Sequence, residues 1–156
     1  MPILFADKSK RLVAAIHCGR KGLEKRIIKN LVKILYKRGC SREDLLVAIG
    51  PSISKKNYLV DKKIFNEFNK KVTNKRTITF FRKNENISQL KNLIMSKKQD
   101  LIPLDLKKHA YLQILSENIP HKNIEISNLC TYDFDNEFYS WRKTKTIFRQ
   151  WNFICS

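Results

Sequence analysis

The stretch that decides the fold is LVAAIHCGRKG, Leu12–Gly22, in which an apolar run ends in a histidine followed by a glycine-containing turn. Leu12–His17 has the length and composition of a buried strand. The residues after it lead into a segment with helical periodicity, so His17 lies at a strand-to-helix turn. Side chains at the carboxyl ends of strands in open α/β sheets face the crevice where ligands bind. The stretch therefore predicts an α/β-type domain with a candidate site at His17.

The flanking segments extend this unit on both sides. Pro2–Ala6 is a second apolar run, and the polar turn after it predicts a β-hairpin with Leu12–His17. Lys21–Arg38 is predicted as one helix that ends at Gly39, a residue suited to the position after a helix. Its predicted buried face has apolar residues at helical spacing, namely Leu23, Ile27, Leu31, Ile34 and Leu35.

The rest of the chain continues with short alternating elements. Leu45–Ile49 is predicted as a buried strand followed by a loop over Gly50–Ser54. Asp61 is expected to cap a helix over Lys62–Lys71. The remaining predicted elements are a strand over 77–81, a helix over 105–117, and strands over 124–126, 138–142 and 148–154. Since neither a repeat nor a linker interrupts the 156 residues, we expect a single domain over 1–156.

The composition limits the classes of partner and the compartment. Lysine and arginine number 32 against 14 acidic residues, a net charge of +18 that favours anionic partners. An AT-rich genome would give the same composition without any binding role. The four cysteines form no C-x-x-C pair, which suits free thiols in a reducing cytoplasm. The sequence contains neither a signal-peptide pattern nor a membrane span, so a cytoplasmic location is expected.

Two segments have residues suited to catalysis or ligand binding. His17 is suited to metal ligation or proton transfer, and the backbone at Gly19 and the helix start after it suit an anion. Arg142 lies in the aromatic segment FYSWR and is suited to holding an anion, while the aromatics suit either base stacking or core packing. A tight turn with a buried, hydrogen-bonded histidine is the structural alternative for His17.

Three motifs in order resemble one family. They are HCGRKGL at His17–Leu23, IGPSI at Ile49–Ile53, and CT at Cys130–Thr131 with FYSWRK at Phe138–Lys143. Together they are similar to the YfiH laccase-domain family, whose members were formerly called polyphenol oxidases. The resemblance implies an α+β fold of mixed sheets packed face to face with helices outside. It also implies purine nucleoside phosphorylase and adenosine deaminase activities that act on a purine nucleoside and phosphate.

The resemblance further implies a zinc site, or copper by the family's history, formed by two histidines and one cysteine. His17 matches one histidine and is the residue implied for catalysis and metal binding. Gly19 and Arg142 are our inferred substrate-binding residues. The other two ligand positions precede Met1 in the family pattern, and Cys18 is expected to point to the opposite face. Within the first motif, the family's Trp and Arg after His-Ala-Gly are replaced by Arg20 and Lys21.

These observations leave three functional hypotheses open. The first is an enzyme whose site is completed by upstream or separately encoded sequence, and the second is an inactive truncated remnant. The third is a basic nucleic-acid-binding module, which rests on charge alone and predicts affinity that falls steeply with salt. Because a shortened sandwich would leave an apolar face or an edge uncovered, we also expect self-association.

Overall fold

The computed structural model describes residues 1–72, 101–134 and 136–156. Within these ranges the strands are β1 (Pro2–Asp7), β2 (Val13–His17), β3 (Leu45–Ile49), β4 (Leu59–Asp61), β5 (Leu101–Pro103) and β6 (Ile124–Ile126). The α-helices are α1 (Arg20–Glu24), α2 (Ile27–Lys37), α3 (Lys62–Val72), α4 (Leu106–Ser116) and α5 (Trp141–Thr144). The strand predicted over 77–81 lies outside the described residues. The α+β class with a mixed sheet is confirmed.

A four-stranded sheet of order β2-β1-β3-β6 positions the candidate site. β1 is antiparallel to both β2 and β3, which confirms the predicted hairpin, and β3 is parallel to β6. β2, β3 and β6 therefore run in the same direction and end at the same edge. Pro2 begins β1 at this edge, opposite His17. The loops after three strands and the start of a fourth thus meet in one place.

The core lies between one face of this sheet and the helices. Ile3 and Phe5 are fully buried, and β3 alternates buried and exposed residues, with Leu46 41% exposed. The predicted burial of Leu45–Ile49 on both faces is therefore wrong, since only one face is covered. Leu4, Ala15 and Ala48 are aligned on the other face, where both alanines are exposed. The association expected from such an apolar face stays a prediction.

The helix predicted over Lys21–Arg38 is two helices, separated at Arg26 by a left-handed backbone with φ 54°. Leu23 and Ile28 are both fully buried. Residues five apart lie about 140° apart around a continuous helix, so one straight helix could not bury both. Ile34, predicted to be buried, is 53% exposed, and the buried face of α2 is formed by Ile28, Val32 and Leu35. Gly39 has φ +86°, as predicted for the residue after a helix.

Side-chain caps begin α3 and α4, and the cap at Asp61 was predicted. The Asp61 carboxylate accepts a hydrogen bond from the Ile64 N–H at 2.7 Å, and Asp105 accepts one from the Lys108 N–H at 2.9 Å. Phe68 is fully buried on α3. Among the described residues, no helix combines the length and apolar character that crossing a bilayer requires.

Two strands predicted near the carboxyl end are wrong. The strand predicted over 138–142 is replaced by a loop and by α5, which begins after Ser140. The strand predicted over 148–154 has no strand pairing in the described part of the chain, and Trp151 and Phe153 are 83% and 80% exposed. An apolar strand pattern needs a neighbouring strand and a core to pack against, and this segment has neither here.

Candidate functional site

An open cavity of about 960 Å³ lies where β2, β3 and β6 end. The segments predicted to carry function all contribute to its wall: His17 from β2, Pro51–Ile53 after β3, Thr131 after β6, and 138–142 around α5. His17 and Arg142 therefore line one cavity. Gly19 caps the start of α1 and is not among the described lining residues.

His17 is the last residue of β2 and its side chain is exposed. The positive charge of the Met1 amino group and partial burial lower the pKa of His17 below its ordinary value. Cys18, the next residue, is fully buried in the core, and burial raises the pKa of its thiol to about 11. Cys18 is therefore a protonated core residue and not a partner of His17.

The described residues do not fit a catalytic zinc. Such a site takes about three protein ligands. All three histidines and all four cysteines of the chain are described, and the described residues contain no cluster of three His, Cys, Asp or Glu side chains. His109 packs on Phe68 inside the fold, and burial lowers its pKa to about 4. His121 Nδ1 and the Tyr111 hydroxyl share a hydrogen bond of 2.8 Å. Within the described ranges, His17 is thus a single donor for zinc or copper.

Arg142 gives the cavity a positive wall. The residue is exposed on α5, and its guanidinium carbon lies 4.8 Å from the centre of the Tyr58 ring, a cation–π contact that orients the side chain. Lys145 and Arg149 also line the cavity, and none of its described lining residues is acidic. The cavity is therefore suited to an anion, as was inferred for Arg142 from the sequence.

The loops after β3 and β6 are joined through Cys130, which is 3% exposed. Its Sγ accepts hydrogen bonds from the Ser54 N–H at 3.2 Å and from the Asn57 side-chain amide at 3.4 Å. Burial alone would raise the pKa of Cys130, but these hydrogen bonds lower it below its ordinary value. Asn57 also donates to the Asp133 carboxylate at 2.9 Å. Asn57 therefore links Cys130 to Asp133 and helps to fix the loops that border the site.

Ser52 is a site residue that the sequence did not single out. It is 4% exposed and lines the cavity, and its hydroxyl has no hydrogen-bond partner among the residues that the structure describes. Its position after a buried strand was visible in the sequence. The absence of a partner depends on the packing of separate loops, so no sequence pattern indicates it.

Comparisons with known proteins identify relatives of this chain. A purine nucleoside phosphorylase of Synechocystis sp. is 28% identical over 158 residues, covering 99% of this chain and 60% of that protein. One from Bacteroides thetaiotaomicron is 30% identical, covering 92% of this chain and 48% of that protein.

Two crystal structures have the same fold. YlmD from Geobacillus stearothermophilus matches with a TM-score of 0.74 at 25% identity, covering 92% of this chain and 48% of that one. A Bacillus licheniformis protein, YfiH, matches with a TM-score of 0.70 at 26% identity, covering 92% and 49%. The chain thus spans about half the length of most of these relatives. A family model described as multi-copper polyphenol oxidoreductase laccase matches residues 1–156, and the chain belongs to this family.

Proposed function

We propose that this chain carries a purine nucleoside phosphorylase site, in which a nucleoside and phosphate bind together in the cavity beyond the sheet edge. The observation that carries the proposal is the convergence of the loops after β2, β3 and β6 on one cavity, whose lining among the described residues contains no acidic side chain. The names of the relatives from Synechocystis and Bacteroides give the reaction its class.

In phosphorolysis, a phosphate oxygen forms a bond to C1′ of the ribose while the C1′–N9 bond breaks. The bonding electron pair passes to N9 of the purine, which then takes a proton. We assign Arg142 to the phosphate, because a guanidinium binds two phosphate oxygens at once. We assign His17 to the purine, where a ring N–H stabilises the negative charge that develops on the leaving base. Trp141 is 55% exposed and lines the cavity, with Lys145 Nζ 5.4 Å from its ring centre, and its indole ring is suited to packing against the base.

The family resemblance also implies a zinc site and adenosine deaminase activity. Deamination needs a metal-activated water. Because His17 is a single donor, we restrict the proposal for the described residues to phosphorolysis and make deamination the alternative for a site with further ligands. We place the reaction in the cytoplasm, since all four cysteines are free thiols, which suits a reducing compartment.

The test is a phosphorolysis assay on the purified chain with inosine and inorganic phosphate, with separation of hypoxanthine from inosine. For Arg142→Ala we expect the phosphate KM to rise about 10- to 100-fold, the loss typical of one charge-assisted contact. Lys143→Ala is the matched control, since Lys143 is the adjacent exposed cation and does not line the cavity. Absence of phosphorolysis with inosine, guanosine and adenosine, or an equal effect of both substitutions, would refute the proposal.

A further inference from the structure

We propose that Ser52 is a nucleoside-binding residue, whose hydroxyl hydrogen-bonds a neutral polar group of the nucleoside. This inference rests on the proposed function. It adds to that function a residue that recognises the nucleoside separately from phosphate.

The first step is the state of the Ser52 hydroxyl. The residue is 4% exposed, and the hydroxyl oxygen has no hydrogen-bond partner within the described ranges. Withdrawing a hydroxyl from water without a new hydrogen bond costs free energy, and buried polar groups in folded proteins nearly always have partners. The hydroxyl oxygen itself has almost no exposed surface, so a ligand in the cavity supplies the missing hydrogen bond once the Ser52 side chain rotates towards it.

The second step is the rigidity of the loop that holds Ser52. The Ser52 carbonyl accepts a hydrogen bond from the Thr131 N–H at 3.2 Å. Two residues later, the Ser54 N–H donates to the buried Cys130 thiol. At the start of the loop, the Gly50 N–H donates to the Pro2 carbonyl at 3.0 Å. The backbone on both sides of Ser52 is therefore fixed, so its side chain cannot reach a distant partner without breaking these contacts.

The third step is the separation of charge within the cavity. The cationic side chains Arg142, Lys145 and Arg149 belong to the segment around α5, where all three are exposed. Ser52 lies between Pro51 and Ile53, which are apolar lining residues. A single hydroxyl offers one donor and two acceptor positions and no charge, which suits a ribose hydroxyl or a purine ring atom better than a phosphate dianion.

The test compares ligand binding to the full chain and to two serine variants by calorimetric titration. Inosine and inorganic phosphate are titrated separately, so that binding is measured without turnover. For Ser52→Ala we expect the inosine Kd to rise about 5- to 15-fold, the effect of one lost hydrogen bond. The phosphate Kd should stay within about twofold and the melting temperature should not fall, because the Ser52 hydroxyl has no hydrogen bond to lose among the described residues.

Ser54→Ala is the matched control. Its hydroxyl contacts Cys130 at 3.3 Å and does not line the cavity. We expect a lower melting temperature and an inosine Kd within about twofold of the wild type. Titration of hypoxanthine locates the contact further: an equal loss for hypoxanthine and inosine places it on the base, and a loss for inosine alone places it on the ribose.

The possible failures are distinguishable. An unchanged inosine Kd in Ser52→Ala, or an equal loss of inosine and phosphate binding, would overturn this inference and leave the proposed function standing. Inosine binding that depends on Ser52 without any phosphorolysis would overturn the proposed reaction and support the binding role. A wild-type chain that binds no inosine at millimolar concentration would overturn both.

Discussion

Replacement of Gly50 by alanine tests whether the sheet edge below the cavity is as tightly packed as the structure shows. A Cβ at Gly50 would lie 2.7 Å from Pro2 Cγ, whereas ordinary contacts begin at about 3.4 Å. The proline ring cannot rotate away, because it is closed on its own backbone. The Gly50 N–H also holds the two backbones together at 3.0 Å. Relief of the contact therefore requires a shift of β1 against the loop after β3.

We expect Gly50→Ala to reduce the free energy of unfolding by about 1–3 kcal/mol, the range for overpacking a close contact. For a chain of this size the melting temperature should fall by roughly 2–12 °C. Urea unfolding followed by circular dichroism measures the first quantity and a thermal melt the second. Gly19→Ala is the matched control, because its Cβ would meet its nearest atom, His17 Nε2, at 3.8 Å and its φ is −109°.

A second substitution identifies the contact responsible. Pro2→Ala removes Cγ and Cδ, and after Cγ the closest atoms, Cδ and the carbonyl oxygen of Pro2, are at 3.6 Å. The stability cost of Gly50→Ala should therefore be much smaller in the Pro2→Ala chain than in the wild-type chain. The reasoning would be refuted if Gly50→Ala unfolded at the same urea midpoint as the wild type. It would also be refuted if Gly50→Ala lost as much unfolding free energy in the Pro2→Ala chain as in the wild type.

Three further predictions concern the turn, the loops and the metal. The Asp7 carboxylate accepts hydrogen bonds from the Ser9 and Lys10 N–H groups at 2.8 and 2.7 Å. Burial alone would raise the pKa of Asp7, but its hydrogen bonds with Ser9 and Lys10 lower the pKa below the ordinary value of 3.8. A carboxyl group whose pKa is lower in the folded chain stabilises the fold at pH values above its pKa in the unfolded chain. This stabilisation is lost as the pH falls through the pKa of the folded chain. Asp7→Ala should cost about 1–2 kcal/mol at pH 7 in urea unfolding and progressively less below about pH 4, and a loss independent of pH would contradict this. Cys130→Ala should lower the free energy of unfolding by about 1–2 kcal/mol, because it removes the acceptor of the partly buried Ser54 N–H and Asn57 amide. Cys130→Ser should lose less, and equal losses in thermal melts would exclude the hydrogen-bonding role. Equilibrium dialysis of the chain should find less than one zinc per chain at micromolar concentration, whereas one zinc that disappears in His17→Ala would show that further ligands exist.

Local sequence patterns were sufficient wherever neighbouring residues fix the structure. The length and apolar composition of the runs at β1, β2 and β3 predicted their strands, because a strand that packs on a core needs apolar residues. The cap at Asp61 and the turn at Gly39 were also predicted, since each depends on hydrogen bonds or backbone angles within a few residues.

Elements that depend on distant partners were predicted less well. The break at Arg26 follows from the burial of both Leu23 and Ile28, a requirement that the periodicity of a single segment does not reveal. The strand predicted over 148–154 has the right composition, yet a strand exists only where another strand pairs with it. The aromatic residues Trp151 and Phe153 are instead largely exposed.

The sequence by itself determined the strand-to-helix turn at His17, the three motifs and their order, and thereby the family of the chain. Only the tertiary structure decided that the loops after β2, β3 and β6 meet at one sheet edge, because their meeting depends on strand direction and order. It also decided that Cys18 lies in the core and that Ser52 is buried in a cavity wall without a partner. Burial and hydrogen-bond satisfaction are properties of residues far apart in the chain, so they arise only when the whole fold is assembled.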